Sequence, residues 1–230
     1  MKYLSLLLIV IIFIFSSCDD IPMLSIGKKE GTIKYKITYL DTAAVKNMLD
    51  LLPSTMNYLF KDDNTKIKIG VGIFSSAYIS NIEKGISITL LKIMYVRYLY
   101  EEKISEKSVL FENIPGIKVD IKDNETKKIA GYKCQKATIS FPGTDKKPYD
   151  VYFTKKIKVK NPNQNNPYKE IDGVLLDFQL KLLGLDMRFT ADSVNFNKIE
   201  EDEFEMPKDY KKVNKPKIEE TLNSLKAMLL

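Results

Sequence analysis

The chain has 230 residues, 36 lysines and arginines against 30 aspartates and glutamates, a formal net charge of +6, and no histidine. Without histidine, a single chain cannot build a histidine-type zinc site or a Ser-His-Asp catalytic triad. The lysines alternate with apolar residues, which is typical of the solvated face of a sheet and argues against a nucleic-acid-binding surface. The length and the 44% hydrophobic content indicate one domain with an ordinary core, with two domains as the alternative.

The first predicted element is a secretory signal peptide. Lys2 precedes an apolar run from Leu4 to Phe15, which is shorter than the roughly 20 residues of a membrane span. Two serines and Cys18 follow, a pattern that resembles the lipobox of bacterial lipoproteins. We therefore predict that residues 1–17 are removed, that Cys18 is lipidated, and that residues 18–29 form a tether. An ordinary signal peptide with a chance cysteine is the alternative.

These features predict a cell-envelope location, with a lipid anchor in the inner or outer membrane and a periplasmic or surface-facing domain. Cys134 is then the one side-chain thiol that remains, so it has no partner for an internal disulfide. It lies within a predicted strand, and the chain offers no imidazole base. We interpret Cys134 as a buried structural cysteine.

Residues 31–39 alternate between apolar and polar side chains, which predicts a strand with one face on the core. The next apolar residues follow helical spacing: Val45, Met48, Leu49 and Leu52. They predict a helix that Pro53 breaks or kinks and that continues for a turn or two through residues 56–60.

Further strands are predicted over residues 66–73, 77–82, 86–90, 109–111 and 117–121. Residues 90–100 are apolar on both parities, which is typical of a strand covered on both faces or of a buried helix, and we favour the strand. Gly70 and Gly72 fall on one face of their strand, which indicates strong curvature or close packing there.

The most characteristic stretch is residues 129–191, with four strand-like runs separated by turns. The apolar residues then change from odd-numbered to even-numbered positions, which predicts a bulge near Ser193. The acidic run at residues 200–205 lacks the spaced ligands and central glycine of a calcium loop, so we predict a solvated turn. Pro216 begins a C-terminal helix with one apolar stripe.

Together these elements predict an α+β fold over residues 30–230. Nine or ten strands form a large curled antiparallel sheet, a half-barrel, with two or so helices packed on its concave face. A curled sheet with a helix in its mouth can enclose an apolar cavity. The alternative is that aromatic and branched side chains fill the interior.

Three segments resemble a known group of proteins: residues 131–137, 152–157 and 171–176. They are similar to uncharacterised Bacteroidetes envelope proteins of the GLPGLI type and related families of unknown function, which are similar in fold to the lipoprotein carriers LolA and LolB. Where the motif has Gly-Leu-Pro-Gly-Leu-Ile, residues 172–177 read Asp-Gly-Val-Leu-Leu-Asp, which indicates a neighbouring family. The resemblance implies a LolA-like half-barrel closed by helices and assigns no catalytic residue.

The expected function is that of a lipid-anchored envelope protein that binds an acyl chain or a lipoprotein in the half-barrel. The alternative is a structural or interaction subunit of an envelope complex, without a small-molecule ligand. An enzyme is not expected, because Asp123 and Glu125 lie beside lysines in a predicted turn and look solvated. We expect no cofactor, no metal and no nucleic-acid partner, and the sequence singles out no ligand-binding residue.

Overall fold

The computed structural model describes residues 29–41, 46, 48–72, 74–104, 108–111 and 116–229. In this part of the chain, twelve β-strands form a single sheet and one α-helix follows them. The predicted signal peptide at 1–17, Cys18 and most of the predicted tether lie outside the described residues. Every element and contact given below therefore belongs to the chain from Lys29 onward.

The strands run over β1 Glu30–Tyr39, β2 Thr55–Lys61, β3 Asn64–Val71, β4 Phe74–Asn81, β5 Ile86–Ile93, β6 Val96–Lys103, β7 Lys118–Ile129, β8 Tyr132–Ser140, β9 Tyr149–Thr154, β10 Val174–Leu182, β11 Leu185–Asn195 and β12 Lys211–Lys212. The helix α1 covers Lys215–Leu229, and short 3₁₀ helices cover Leu49–Leu51 and Glu201–Phe204.

The order of the strands across the sheet is β12-β6-β5-β4-β3-β2-β1-β11-β10-β9-β8-β7. The strands from β2 to β6 form one meander, those from β7 to β11 form another, and β1 joins the two by pairing with β2 and β11. All neighbours are antiparallel except β12, which pairs with β6 in parallel. The sheet is open, with β7 and β12 at its edges, and both residues of β12 are exposed lysines, which discourage pairing with another chain.

The predicted α+β class, with two or so helices on a concave face, is wrong. The described residues form a large open sheet with a single α-helix at the C-terminal end. Residues 56–60 belong to β2, because Met56, Tyr58 and Phe60 bury one face of a strand that pairs with both β1 and β3. Among the described residues of the predicted first helix, Leu49–Leu51 form a 3₁₀ turn, and its Val45 lies outside the described residues.

The single strand predicted over residues 90–100 is also wrong, because this stretch is a hairpin of β5 and β6 that turns at Met94. Both strands are covered on both faces, which explains the apolar character on both parities. Leu90 and Leu99 pack against residues near the second 3₁₀ helix, whereas Leu91 packs against α1.

Two smaller predictions in the middle of the chain also fail. Residues 109–111, predicted as a strand, form a turn and a bend. Asp123, predicted in a turn, lies within the long strand β7, where the pairing with β8 shifts register between Lys122 and Thr126. A bulge lets the two strands continue past the polar residues, so no turn is needed.

Other sequence predictions are confirmed. The strand predicted at residues 31–39 is β1, and the four runs in 129–191 are β8 to β11. The bulge near Ser193 is present, because Lys34 pairs with Ser193 while Tyr35 pairs with Ala191. The C-terminal helix buries the predicted stripe at Ile218, Leu222 and Leu225.

The acidic run at residues 200–205 is more than a solvated turn. Phe204 is 2% exposed and packs on the outer face of β4 to β6. Glu203 forms ion pairs with Lys66 and Lys68 at 2.8 and 2.7 Å. These contacts therefore hold residues 200–205, which follow β11, against the outer face of the sheet.

Candidate functional site

The inner face of the sheet carries four rows of side chains, because residues paired directly across antiparallel strands point to the same side. We name each row by its residue in β4. The Ser80 row contains Phe60, Thr65, Ser80, Ser87 and Glu102; the Tyr78 row contains Tyr58, Ile67, Tyr78, Thr89 and Tyr100; the Ser76 row contains Met56, Ile69, Ser76, Leu91 and Tyr98; the Phe74 row contains Val71, Phe74, Ile93 and Val96.

A cavity of about 380 Å³ opens against three of these rows, from the Tyr78 row to the Phe74 row. The opposite wall comes from the β10–β11 hairpin, whose paired residues Leu180 and Met187 face the cavity. For β3, β5 and β10 to line one cavity, the sheet must bend strongly.

The helix α1 closes a further side of the cavity with Leu222, Leu225 and Met228. It begins where the Asn214 side-chain oxygen accepts a hydrogen bond from the Lys217 backbone N–H at 3.1 Å, as an N-cap does. The apolar stripe of α1 thus meets the sheet at the cavity.

The walls offer an apolar ligand a fitting environment. Among the described residues, the lining includes no charged side chain. The Tyr39 hydroxyl donates to the Pro53 carbonyl oxygen at 2.8 Å, and burial raises the pKa of Tyr39 to about 12, so the tyrosine stays neutral. Protein interiors leave few voids larger than a water molecule, whereas binding sites occupy roughly 300–1,000 Å³. The space is therefore of ligand-pocket size.

The residues that the sequence analysis considered as candidates for a site do not line the cavity. Asp123 accepts a hydrogen bond from Gln135 at 3.0 Å, and Glu125 pairs with Lys136 at 2.9 Å, both on the exposed surface of β7 and β8. Within the described ranges, no three cysteine or carboxylate side chains come together as a metal site. Cys18, the predicted lipidation site, lies outside the described residues.

Cys134 is fully buried, as predicted, and burial raises the pKa of its thiol to about 12. The thiol donates weakly to the Tyr132 carbonyl oxygen at 3.4 Å. A thiol that stays protonated at neutral pH is a poor nucleophile. Its surroundings are those of a structural residue.

An apolar cavity was one of the two alternatives expected from the sequence, but the residues that line it were not singled out. The stretch 90–100 was singled out for its apolar character, and it supplies Leu91 and Ile93 to the wall. The leucines of β10 and α1 have the spacing of ordinary core residues, so the sequence did not mark them as part of a cavity wall. No helix in the described part of the chain is long and apolar enough to span a membrane.

Comparison with known proteins shows a similarity of fold to a solved structure. No family model matches the chain, and no curated protein does. Among solved structures, that of PNGF-II in a C2 space group is similar, with a TM-score of 0.51, 15% sequence identity, and coverage of 84% of this chain and 32% of that chain. The chain thus spans about a third of the length of PNGF-II. The resemblance to GLPGLI-type envelope proteins stays a prediction.

Proposed function

We propose that this chain is a lipid-anchored cell-envelope protein that binds a single aliphatic chain, such as the acyl chain of a lipid or lipoprotein, in the apolar cavity. The observation that carries the proposal is the cavity of about 380 Å³ with an uncharged, largely apolar described lining. Each methylene moved from water into such a site contributes about 0.8 kcal/mol, so a long chain needs no polar contact to bind.

The dimensions of the cavity support a chain-shaped ligand. Along β3 its wall runs from Val71 to Ile67, five residues whose ends lie about 14 Å apart in an extended strand. The side chains along this path are apolar on β3 and on the facing hairpin alike. A slender aliphatic chain can contact them over its whole length.

The entrance supports exchange of such a ligand with a membrane. Exposed apolar side chains lie where the cavity opens: Leu51 is 68% exposed, Val71 37% and Met228 64%. Exposed apolar side chains at the edge of a cavity favour contact with lipid or with a partner protein. An aliphatic chain that leaves a bilayer would stay in contact with apolar groups.

Native mass spectrometry of a soluble form that begins at Lys29, followed by lipid extraction, tests the proposal. We expect a co-purified aliphatic species at near-stoichiometric occupancy. Ser76→Trp adds a large side chain to the cavity wall without removing a core residue, so we expect it to lower the occupancy at least about tenfold.

Lys92→Trp is the matched control, because it adds the same side chain to the other face of the neighbouring strand β5, where Lys92 is partly exposed. It should leave the occupancy unchanged. A clean apo mass that added fatty acids, fatty alcohols and lipopeptides do not change would contradict the proposal.

An interaction subunit without a small-molecule ligand is the second candidate. The turn between β5 and β6 favours it, because Met94 is 53% exposed, Tyr95 94% and Val96 47%. Three consecutive exposed apolar residues suit a protein contact. The clean apo mass described above would favour this function.

A further inference from the structure

Another cavity, of about 280 Å³, opens beside the large one near the β10–β11 hairpin. Leu180 and Met187, which pair across β10 and β11, line both cavities, so the two spaces are adjacent. Their walls differ in charge. The described lining of the large cavity has no charged side chain, whereas the smaller cavity has four: Lys146, Lys147, Lys181 and Asp186. We call the smaller space the lysine cavity.

The lysine cavity lies where β9 and β10 separate. Their pairing ends at Asp177 and Tyr152, although both strands continue beyond this pair. Tyr168 bridges the gap, because its hydroxyl donates to the Gln179 carbonyl oxygen and lies 2.8 Å from the Tyr149 hydroxyl. Gln179 and Tyr149 both line the lysine cavity, so this bridge fixes part of its wall.

The loop after β8 brings two of the lysines to this place. Thr144 holds the turn, because its backbone N–H and its hydroxyl both donate to the Phe141 carbonyl oxygen, at 3.2 and 3.0 Å. The Thr144 hydroxyl oxygen also accepts a hydrogen bond from the Lys146 backbone N–H at 3.3 Å. The Lys146 ammonium lies 5.5 Å from the centre of the Phe141 ring, a cation–π contact. The turn therefore places Lys146, and Lys147 after it, in the lining of the cavity.

The positive charge of the lysine cavity is only partly balanced. Asp186 pairs with Lys181 at 3.3 Å. Neither Lys146 nor Lys147 forms an ion pair with any residue that the structure describes. Three lysines and one aspartate leave the described lining with two net positive charges. An anion in this space would meet two ammonium groups that have no carboxylate partner, beside apolar walls that strengthen the attraction relative to open water.

We propose that the lysine cavity binds the head group of the ligand, so that the protein selects an amphiphile with an anionic head, a phosphate or a carboxylate, over one with a neutral or cationic head. The inference rests on the proposed function, because the aliphatic chain would occupy the adjacent apolar cavity. The chain would cross at Leu180 and Met187, the side chains common to both spaces. A space of about 280 Å³ is close to the lower limit of ordinary ligand pockets, roughly 300 Å³, so it admits a head group.

Displacement of the neutral dye Nile red from the soluble form that begins at Lys29, which keeps every described strand of the sheet, tests the inference. The competitors share one chain length and differ in the head: dodecyl phosphate, laurate, dodecanol and dodecyltrimethylammonium, each below its critical micelle concentration. We expect the two anions to bind about five- to tenfold more tightly than dodecanol at low ionic strength, since two exposed ion pairs contribute roughly that much. Added salt should reduce this preference, and the cationic amphiphile should bind most weakly.

The double variant Lys146→Met and Lys147→Met removes the two unbalanced charges and keeps unbranched side chains. We expect it to lose the preference for dodecyl phosphate over dodecanol and to leave dodecanol binding unchanged. The matched control is the double variant Lys208→Met and Lys211→Met, because both lysines are exposed and neither lines a cavity. It removes the same charge from the protein and should keep the preference.

Asp186→Asn changes the charge of the lysine cavity in the opposite direction. We expect it to raise the affinity for dodecyl phosphate relative to dodecanol by about two- to fivefold, because the carboxylate that competes for the lysines is lost. A role of these lysines in folding alone would not produce this gain. Isothermal titration with inorganic phosphate separates a free anion from a head group, and we expect inorganic phosphate to bind far more weakly than dodecyl phosphate.

Equal binding of dodecyl phosphate, laurate and dodecanol, unchanged by the Lys146 and Lys147 variant, would overturn this inference while the proposed function stands. Loss of the preference in the control variant would also overturn it, because the effect would then come from net charge. Inorganic phosphate that binds as tightly as dodecyl phosphate would mean that the lysine cavity takes free anions and not a head group. Displacement of the dye by none of the four amphiphiles would overturn both the inference and the proposed function.

Discussion

Asp177 shows how the second half of the sheet holds a charge in its interior. It is 1% exposed, and the Arg188 guanidinium donates to both of its carboxylate oxygens at 2.7 and 2.8 Å. Lys127 lies 3.6 Å away and Thr190 donates at 3.4 Å. The hydrogen bonds that Arg188 donates to Asp177 raise the pKa of the guanidinium, so Arg188 stays protonated. We interpret Asp177 as structural, because its partners are side chains of the strands β7 and β11 of the same sheet.

Arg188→Met would leave the Asp177 carboxylate buried with only the more distant lysine beside it. Removing one partner of a buried ion pair destabilises a protein by roughly 3–5 kcal/mol, and we expect about 3 kcal/mol because Lys127 compensates in part. The measurement is the midpoint of urea unfolding. Arg97→Met is the control: Arg97 pairs with Asp209 on the surface, where a loss of at most about 1 kcal/mol is expected. Equal midpoints for both variants would show that Asp177 does not depend on Arg188.

At the scale of elements, the 3₁₀ helix at Glu201–Phe204 makes the free energy of unfolding depend on pH. Burial opposes ionisation of Glu203, but hydrogen bonds from Lys66 and Lys68 outweigh it and lower the pKa of this carboxyl. A group whose pKa is lowered by folding stabilises the folded protein above its unfolded value, roughly pH 4.3 for glutamate. This stability is lost as the pH falls through the lower, folded value.

Glu203→Gln should therefore lower the free energy of unfolding at neutral pH and reduce its loss on acidification. Urea unfolding at neutral and at acidic pH measures both effects. Glu219→Gln, on the exposed side of α1, is the control and should keep the acid dependence of the parent protein. An acid dependence of the Glu203 variant equal to that of the control would contradict this account.

The elements that the sequence predicts well are those in which local alternation and tertiary pairing agree. Residues 31–39 and the runs within 129–191 have period-two patterns and form strands. The predicted continuation of the first helix through residues 56–60 used local information only, and pairing of Thr55–Lys61 with two neighbouring strands overrides it. In residues 90–100 the apolar pattern has no break at Met94, whose positive φ of 54° forms the turn, so the hairpin could not be seen.

The sequence allowed either an apolar cavity or a filled interior and could not decide between the two. The walls of the cavity come from β3 to β5 and from β10 and β11, which are about a hundred residues apart, and the bend of the sheet decides whether their apolar faces touch or leave a space.

At the scale of the whole molecule, the proposal joins a membrane anchor to an apolar cavity. Cys18→Ser should abolish incorporation of an alkyne-labelled fatty acid and shift the chain from the membrane to the soluble fraction. Cys134→Ser is the control, since that thiol is buried within the sheet and should not be labelled. Labelling that persists in the Cys18 variant would contradict the predicted anchor.

The most direct test of the central claim is a crystal structure of the protein purified with its native lipid. The account predicts continuous electron density of an unbranched chain between Ile69, Leu180 and Leu225. A sheet interior filled completely by side chains, with Leu180 packed directly on Ile69 and Leu91, would contradict it.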